Sequence, residues 1–339
     1  MSKGAGATVR RWVGFAAFLV VVALAVTAMM HRQELKDRFA TIGYEASPRI
    51  AELATDLDLT SAGHRIFLAT HPTVDGSQHF NDQCADVDHS EEGHVLGCYT
   101  KDRIHLFDVR DERVSGIVEV TAAHELLHAA FARLGEGDRA LLSARLRDVY
   151  DELAPNNPQL AERMEVYEHL SDAAFANELH SVLGTEVQEL PDWLEQHYAQ
   201  WFDDRGALVD AFDRYHTVFD DLQDQAEALE AEMTSLRKDV ERRKAEYDED
   251  VAQFNADASA FTKRLDAAEF ADDPDGLAAT SADLEARRDA LEASLTDLHE
   301  DIDHYNELRD HLQSLSEVSA ELDEQLDSEL APITTRPDG

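Results

Sequence analysis

The sequence is poor in positive charge, in aromatic residues and in cysteine, and each shortage narrows the readings open to it. Its 339 residues hold 30 Lys and Arg against 71 Asp and Glu, a net charge of −41. So acidic a surface repels phosphate backbones, which excludes nucleic acid as a partner. Aromatic residues make up 7%, and the C-terminal third is the reason, since it reads as helix rather than packed globule. The two cysteines, Cys84 and Cys98, lack CxxC spacing, which argues against a cysteine metal site. A disulfide between them would close a loop of about 15 residues, worth roughly 3 kcal/mol in chain entropy.

One long uncharged run is present, Trp12 to Met30. Its ~19 residues make ~28 Å of helix, close to the thickness of a bilayer core. Lys3, Arg10 and Arg11 precede it, so the positive-inside bias holds the N-terminus in the cytoplasm. The expectation is a cytoplasmic tail over 1–11, a transmembrane anchor over 12–30, and the remaining chain outside the cytoplasm. The alternative is a cleaved secretory signal ending near Ala23-Leu24-Ala25. Either placement favours a Cys84–Cys98 disulfide over two free thiols.

The globular part is expected over 31–215, mainly α with a small β element. "RIFLAT", Arg65 to Thr70, reads as a short strand. A hairpin is expected from strands at His94–Thr100 and Arg103–Val109, turning at Lys101-Asp102. Gly135 is expected to end the helix that follows, and further breaks fall at Pro155–Pro158 and near Gly184. Beyond residue 215 the pattern changes. Ala226, Met233, Val240, Tyr247, Phe254 and Phe261 recur every seven residues, and Leu277, Leu284, Leu291, Leu298, Tyr305 and Leu312 form a second series. With Pro274 and Gly276 between them, the two arms predict an antiparallel coiled-coil hairpin over 216–331. Each arm is about 50 residues, or ~75 Å. The hairpin serves either as a rigid spacer or as a docking arm for a protein partner. Residues 332–339 are expected to form a disordered tail.

The chemistry concentrates in "TAAHELLHAAFARLG", Thr121 to Gly135. A helix turns once in 3.6 residues, so His124 and His128 share one face and can grip a single zinc ion. Glu125 sits about 100° around the axis, beside the ion, where it can take a proton from an activated water. Thr121, His124, Glu125 and His128 form the only polar stripe between Val120 and Ala132. Burying these groups without a partner would cost several kcal/mol, a cost that a metal removes.

"HELLH" on an apolar helix, preceded by the strand "RIHLFDV", resembles the zincin metallopeptidases. The resemblance implies a zincin-like catalytic domain with zinc bound by His124 and His128, Glu125 as general base, and the preceding strand as the edge that pairs with an extended substrate. The third histidine of the metzincins is absent, because the matching run is "HELLHAAFARL". The chain is therefore more similar to the gluzincin branch, in which a glutamate on a later helix completes the site. "SDAAFANELHSVLGTE" is the candidate helix, and Glu178 its central acid. His180, Glu168, His169 and Glu186 are rivals. Ser171, Asp172 or Asn177 would steady an imidazole, and Tyr167, His180, His197 or Tyr198 would assist the oxyanion.

Two functions compete. The first is a membrane-anchored, extracytoplasmic zinc metallopeptidase acting on a protein or peptide. The second is a non-catalytic envelope adaptor that works through its coiled coil, with a structural or vestigial zinc. Glu125 separates them, since a structural ion needs no base beside it.

Overall fold

A computed structural model describes residues 29, 32–85, 87 and 94–330 of the chain. It is mainly helical and divides into two compact units. The first comprises the chain to Thr217 together with the stretch from Leu322, and the second is Val218–Glu321.

The first unit opens with α1 (Arg32–Ala40), α2 (Pro48–Asp56) and α3 (Ser61–Ala69), then β1 (Thr73–Asp75) and α4 (Ser77–Cys84). β2 (Gly97–Thr100) and β3 (Arg103–Phe107) follow, and then the long buried helix α5 (Ile117–Ala132). α6 (Glu136–Leu153), α7 (Pro158–Glu165), α8 (Asp172–Glu186) and α9 (Asp192–Tyr198) complete it. The three strands form one sheet in the order β1-β3-β2, with β1 parallel and β2 antiparallel to β3. Lys101 and Asp102 both adopt positive φ, +51° and +62°, the geometry that a two-residue hairpin needs to match strand twist.

α5 occupies the centre because its sequence lets it. Every residue from Ala122 to Phe131 is buried, and small side chains allow close approach to its neighbours. It packs against α8 on one side and against β2 and β3 on another. Leu126 and Leu127 are wholly inaccessible, each worth roughly 1.5–3 kcal/mol of burial. Arg133, just past the helix end, fixes its direction. Its Nε donates to both oxygens of Asp37 in α1 (3.1 and 3.2 Å) and its Nη1 donates to the Ala129 carbonyl (3.0 Å).

The disulfide forms, joining Cys84 at the end of α4 to Cys98 in β2. Four expectations need correction. Residues 65–69 are helix, not strand, with Thr70 at its C-cap: Thr60 caps α3 by accepting from the Gly63 amide, and Gly63, Ile66 and Phe67 then share a buried face at helical spacing. β3 is not an edge strand but is paired on both sides, which leaves β2 and β1 at the sheet margins. Gly135 does not end α5; it stands at the N-cap of α6. Gly184 does not end α8 either, because the helix continues to Glu186.

The expected membrane-anchored, extracytoplasmic placement is also corrected. No helix among the described residues is long and apolar enough to cross a membrane. Those of 18 residues or more, α6 and the two hairpin helices, carry charges throughout. The run over 12–30 lies outside the described residues apart from Met29, as does the tail over 332–339.

The second unit is built from the distal parts of α10 (Arg205–Asp266) and α11 (Pro274–Leu326), with Pro274 opening the returning helix. Leu222, Ala226, Leu229, Met233 and Leu236 are less exposed than the residues between them, as a seven-residue seam requires. Arg243 pairs with Asp301, Arg287 with Asp257 (2.8 Å) and His304 with Glu232 (3.2 Å). The falling partner numbers mark the helices as antiparallel.

Candidate metal centre

α5 presents His124, Glu125 and His128 together, all three buried, with potential ligand atoms within 4.8 Å of one another. This group could hold a metal ion. The two imidazole rings are 4.8 Å apart at an interplanar angle of 75°, so both Nε2 atoms can converge on one point.

α8 supplies a second acid. Glu178 Oε2 lies 3.7 Å from His124 Nε2 and 3.3 Å from His128 Nε2. Tetrahedral zinc with bonds of ~2.0–2.1 Å separates its ligand atoms by roughly 3.3 Å, so the spacing fits such an ion. The helix delivers Glu178 because Gly184 lets α8 sit against α5. A Cβ on Gly184 would lie 2.3 Å from Leu127 Cδ1 and 2.9 Å from Tyr198 Cε1.

The electrostatics of this pair follow from its burial. Desolvation works against charge on Glu178, yet His128 and the hydrogen bonds from both imidazoles hold its carboxyl well below the usual range. Desolvation likewise opposes a proton on His128, but the Glu178 carboxylate outweighs it and pushes the imidazole up to about 10. Glu178 thus stays ionised within an apolar core, the negative charge that a cation beside it would need.

Ser181, one turn beyond Glu178 on the same face, places Oγ 3.3 Å from His128 Nδ1. A neutral His128 that offers Nε2 to a metal donates Nδ1–H to this hydroxyl, which fixes the tautomer and the ring plane. Sequence reasoning missed Ser181, although its i+3 spacing from Glu178 was a usable signal. Asn177 stands beside the same ring. Ser171 instead caps α8, accepting from the Ala174 amide, and Asp172 is exposed in the first turn.

Of the rivals for the third ligand, Glu186, His169 and His180 are engaged elsewhere, and Glu168 is exposed. Glu186 pairs with Arg163 (3.2 Å), and the ring of His169 bonds the Val166 carbonyl (2.9 Å). His180 points away from Glu178, with Nε2 3.0 Å from His197 Nε2. Burial and the neighbouring His197 hold His180 well below its ordinary value. Tyr198 donates its hydroxyl to the His180 carbonyl (2.7 Å). Three of the four expected oxyanion donors therefore bond to one another. No family model, curated protein or solved structure matches the chain.

Proposed function

We propose that the chain is a zinc-dependent peptidase of zincin type, in the gluzincin-like arrangement, with His124, His128 and Glu178 as ligands and Glu125 as general base. One observation carries the reading: a carboxylate oxygen from a separate helix meets both histidine Nε2 atoms at zinc-like spacing. Glu125 adds to it, because a structural ion has no use for a second buried acid at its side.

Zinc, when bound, supplies Lewis acidity that lowers the pKa of water and polarises a carbonyl. The protein does the rest. His124 and His128 bind through Nε2, and Ser181 holds the second ring in its plane. Two neutral imidazoles and the Glu178 carboxylate give the ligand set one negative charge, so a bound Zn2+ would keep a net positive charge. A Glu125 carboxylate oxygen takes a proton from the attacking water and returns it to the leaving amine. Ala122, Leu126, Leu127 and Phe131 of the same helix are buried, and an apolar, water-poor setting strengthens each of these interactions.

The test is metal analysis and peptide hydrolysis on the full chain, wild type beside Glu125→Gln. We expect one zinc per chain in both proteins and hydrolysis in the wild type alone. Full activity in the variant removes the base, and absence of bound zinc in both removes the site.

A further inference from the structure

Gly97 is the first residue of β2 and faces the polar stripe of α5. A Cβ built there would lie 2.5 Å from Thr121 Cγ2, 3.0 Å from Glu125 Cγ and 3.1 Å from Glu125 Oε1. The first distance is one that no side chain tolerates, and the other two leave no slack. The strand cannot retreat to make room. Cys98, the next residue, is bonded to Cys84 and paired in register with His105 of β3, and α5 packs on both strands. Thr121 is held as well, since its Oγ1 donates to the Ile117 carbonyl (2.8 Å) and its β-branch restricts χ1. Of the two crowded side chains, that of Glu125 is the longer and unbranched, with more rotatable bonds through which to shift.

We propose that Gly97 is the positioning residue for Glu125: the bare backbone of β2 leaves the space that the Glu125 carboxylate occupies beside the two imidazoles. The inference rests on Glu125 being the general base. It assigns the base's location to a residue outside the helix that carries it. Two elements outside α5 thus act on the site: α8 brings Glu178 to the imidazoles, and β2 stands against Glu125.

The test is Gly97→Ala in the full chain, read in three ways. Zinc affinity is expected to stay within about threefold of wild type, because the three nearest atoms to the added methyl belong to Thr121 and Glu125, not to a ligand. kcat for peptide hydrolysis is expected to fall on the order of 100-fold with KM little changed, the consequence of a base misplaced by about 1 Å. The 13C carboxyl resonance of Glu125, assigned by its loss in Glu125→Gln, is expected to move in the metal-free protein. Gly97→Ala/Thr121→Ser removes the worst clash and supplies a folded protein should the single variant not fold. It should recover thermal stability but neither kcat nor the wild-type resonance. An unmoved Glu125 resonance in the folded variant overturns the inference, as does recovery of kcat together with stability in the double variant, which would make Gly97 a packing glycine only. If the zinc-loaded wild type hydrolyses no peptide, the proposed function fails, while the resonance still decides where Gly97 holds Glu125.

Discussion

Glu178 places its Oε2 3.3 Å from His128 Nε2, although the two residues sit on different helices and far apart in the chain. α5 alone offers two imidazoles and an adjacent acid. The carboxylate from α8 closes the third side and determines the charge of the whole centre.

Glu178→Gln keeps the shape of that third side and removes its charge. Zinc affinity should fall by more than the roughly 10–100-fold that an outer hydrogen-bond partner carries. Ser181→Ala removes such an outer partner and should cost about tenfold. Competition against a chromophoric chelator measures both, and equal affinities in all three proteins would dissociate Glu178 and Ser181 from the metal.

Gly184→Ala tests how α8 reaches α5. The added methyl meets Leu127 Cδ1 at 2.3 Å and Tyr198 Cε1 at 2.9 Å. Both neighbours are wholly buried, so overpacking should cost about 1–3 kcal/mol. Zinc affinity should drop with it, because the helix that must shift also carries Glu178. Denaturant melts and metal titration on the same preparation would show the two losses together.

The Cys84–Cys98 bond spans a sequence separation of 14. Replacing both cysteines by alanine should lower stability by roughly 3 kcal/mol, the chain-entropy value for a loop of that size. Hydrolysis should weaken as well, since Cys98 adjoins Gly97 and anchors the strand against Glu125. Loss of stability with unchanged kcat would confine the disulfide to a structural role.

Acid should destabilise the fold through histidines outside the proposed ligand set, His105 and His197 among them. Burial and the nearby Arg103 hold His105 below its ordinary value, and burial with Arg145 lowers His197 to about 4. Both are bases kept neutral in the native state, so below pH 6.5 the unfolded chain binds more protons than the folded one. Their contribution to stability is therefore complete above that pH and is lost as pH falls towards 4. Thermal melts of the metal-free protein should show this decline, and His197→Gln should flatten it. A slope unchanged in that variant would mean that His197 binds protons in the folded protein as it does in the unfolded chain.

Much was written locally. The spacing of His124 and His128 puts both on one helical face whatever the helix packs against, because 3.6 residues make a turn. The seven-residue seam of the hairpin is legible for the same reason, as is the Lys101-Asp102 turn between two short apolar runs. Misreadings came where local preference was weak. "RIFLAT" has strand-like residues, but a Thr60 cap and a buried face at helical spacing outweigh six residues of propensity. Gly135 and Gly184 resemble helix stops, and one begins a helix while the other allows two helices to touch.

The sequence by itself determined the pair of imidazoles, the acid next to them and the heptad arms, since each depends only on the periodicity of a single helix. Only the tertiary structure decided which distant acid meets those imidazoles, which hydroxyl steadies them, which strand is central and what stands against Glu125. Those are distances between separate elements, set by how closely their backbones can pack, and a glycine permits that closeness without revealing in the sequence which neighbour it admits.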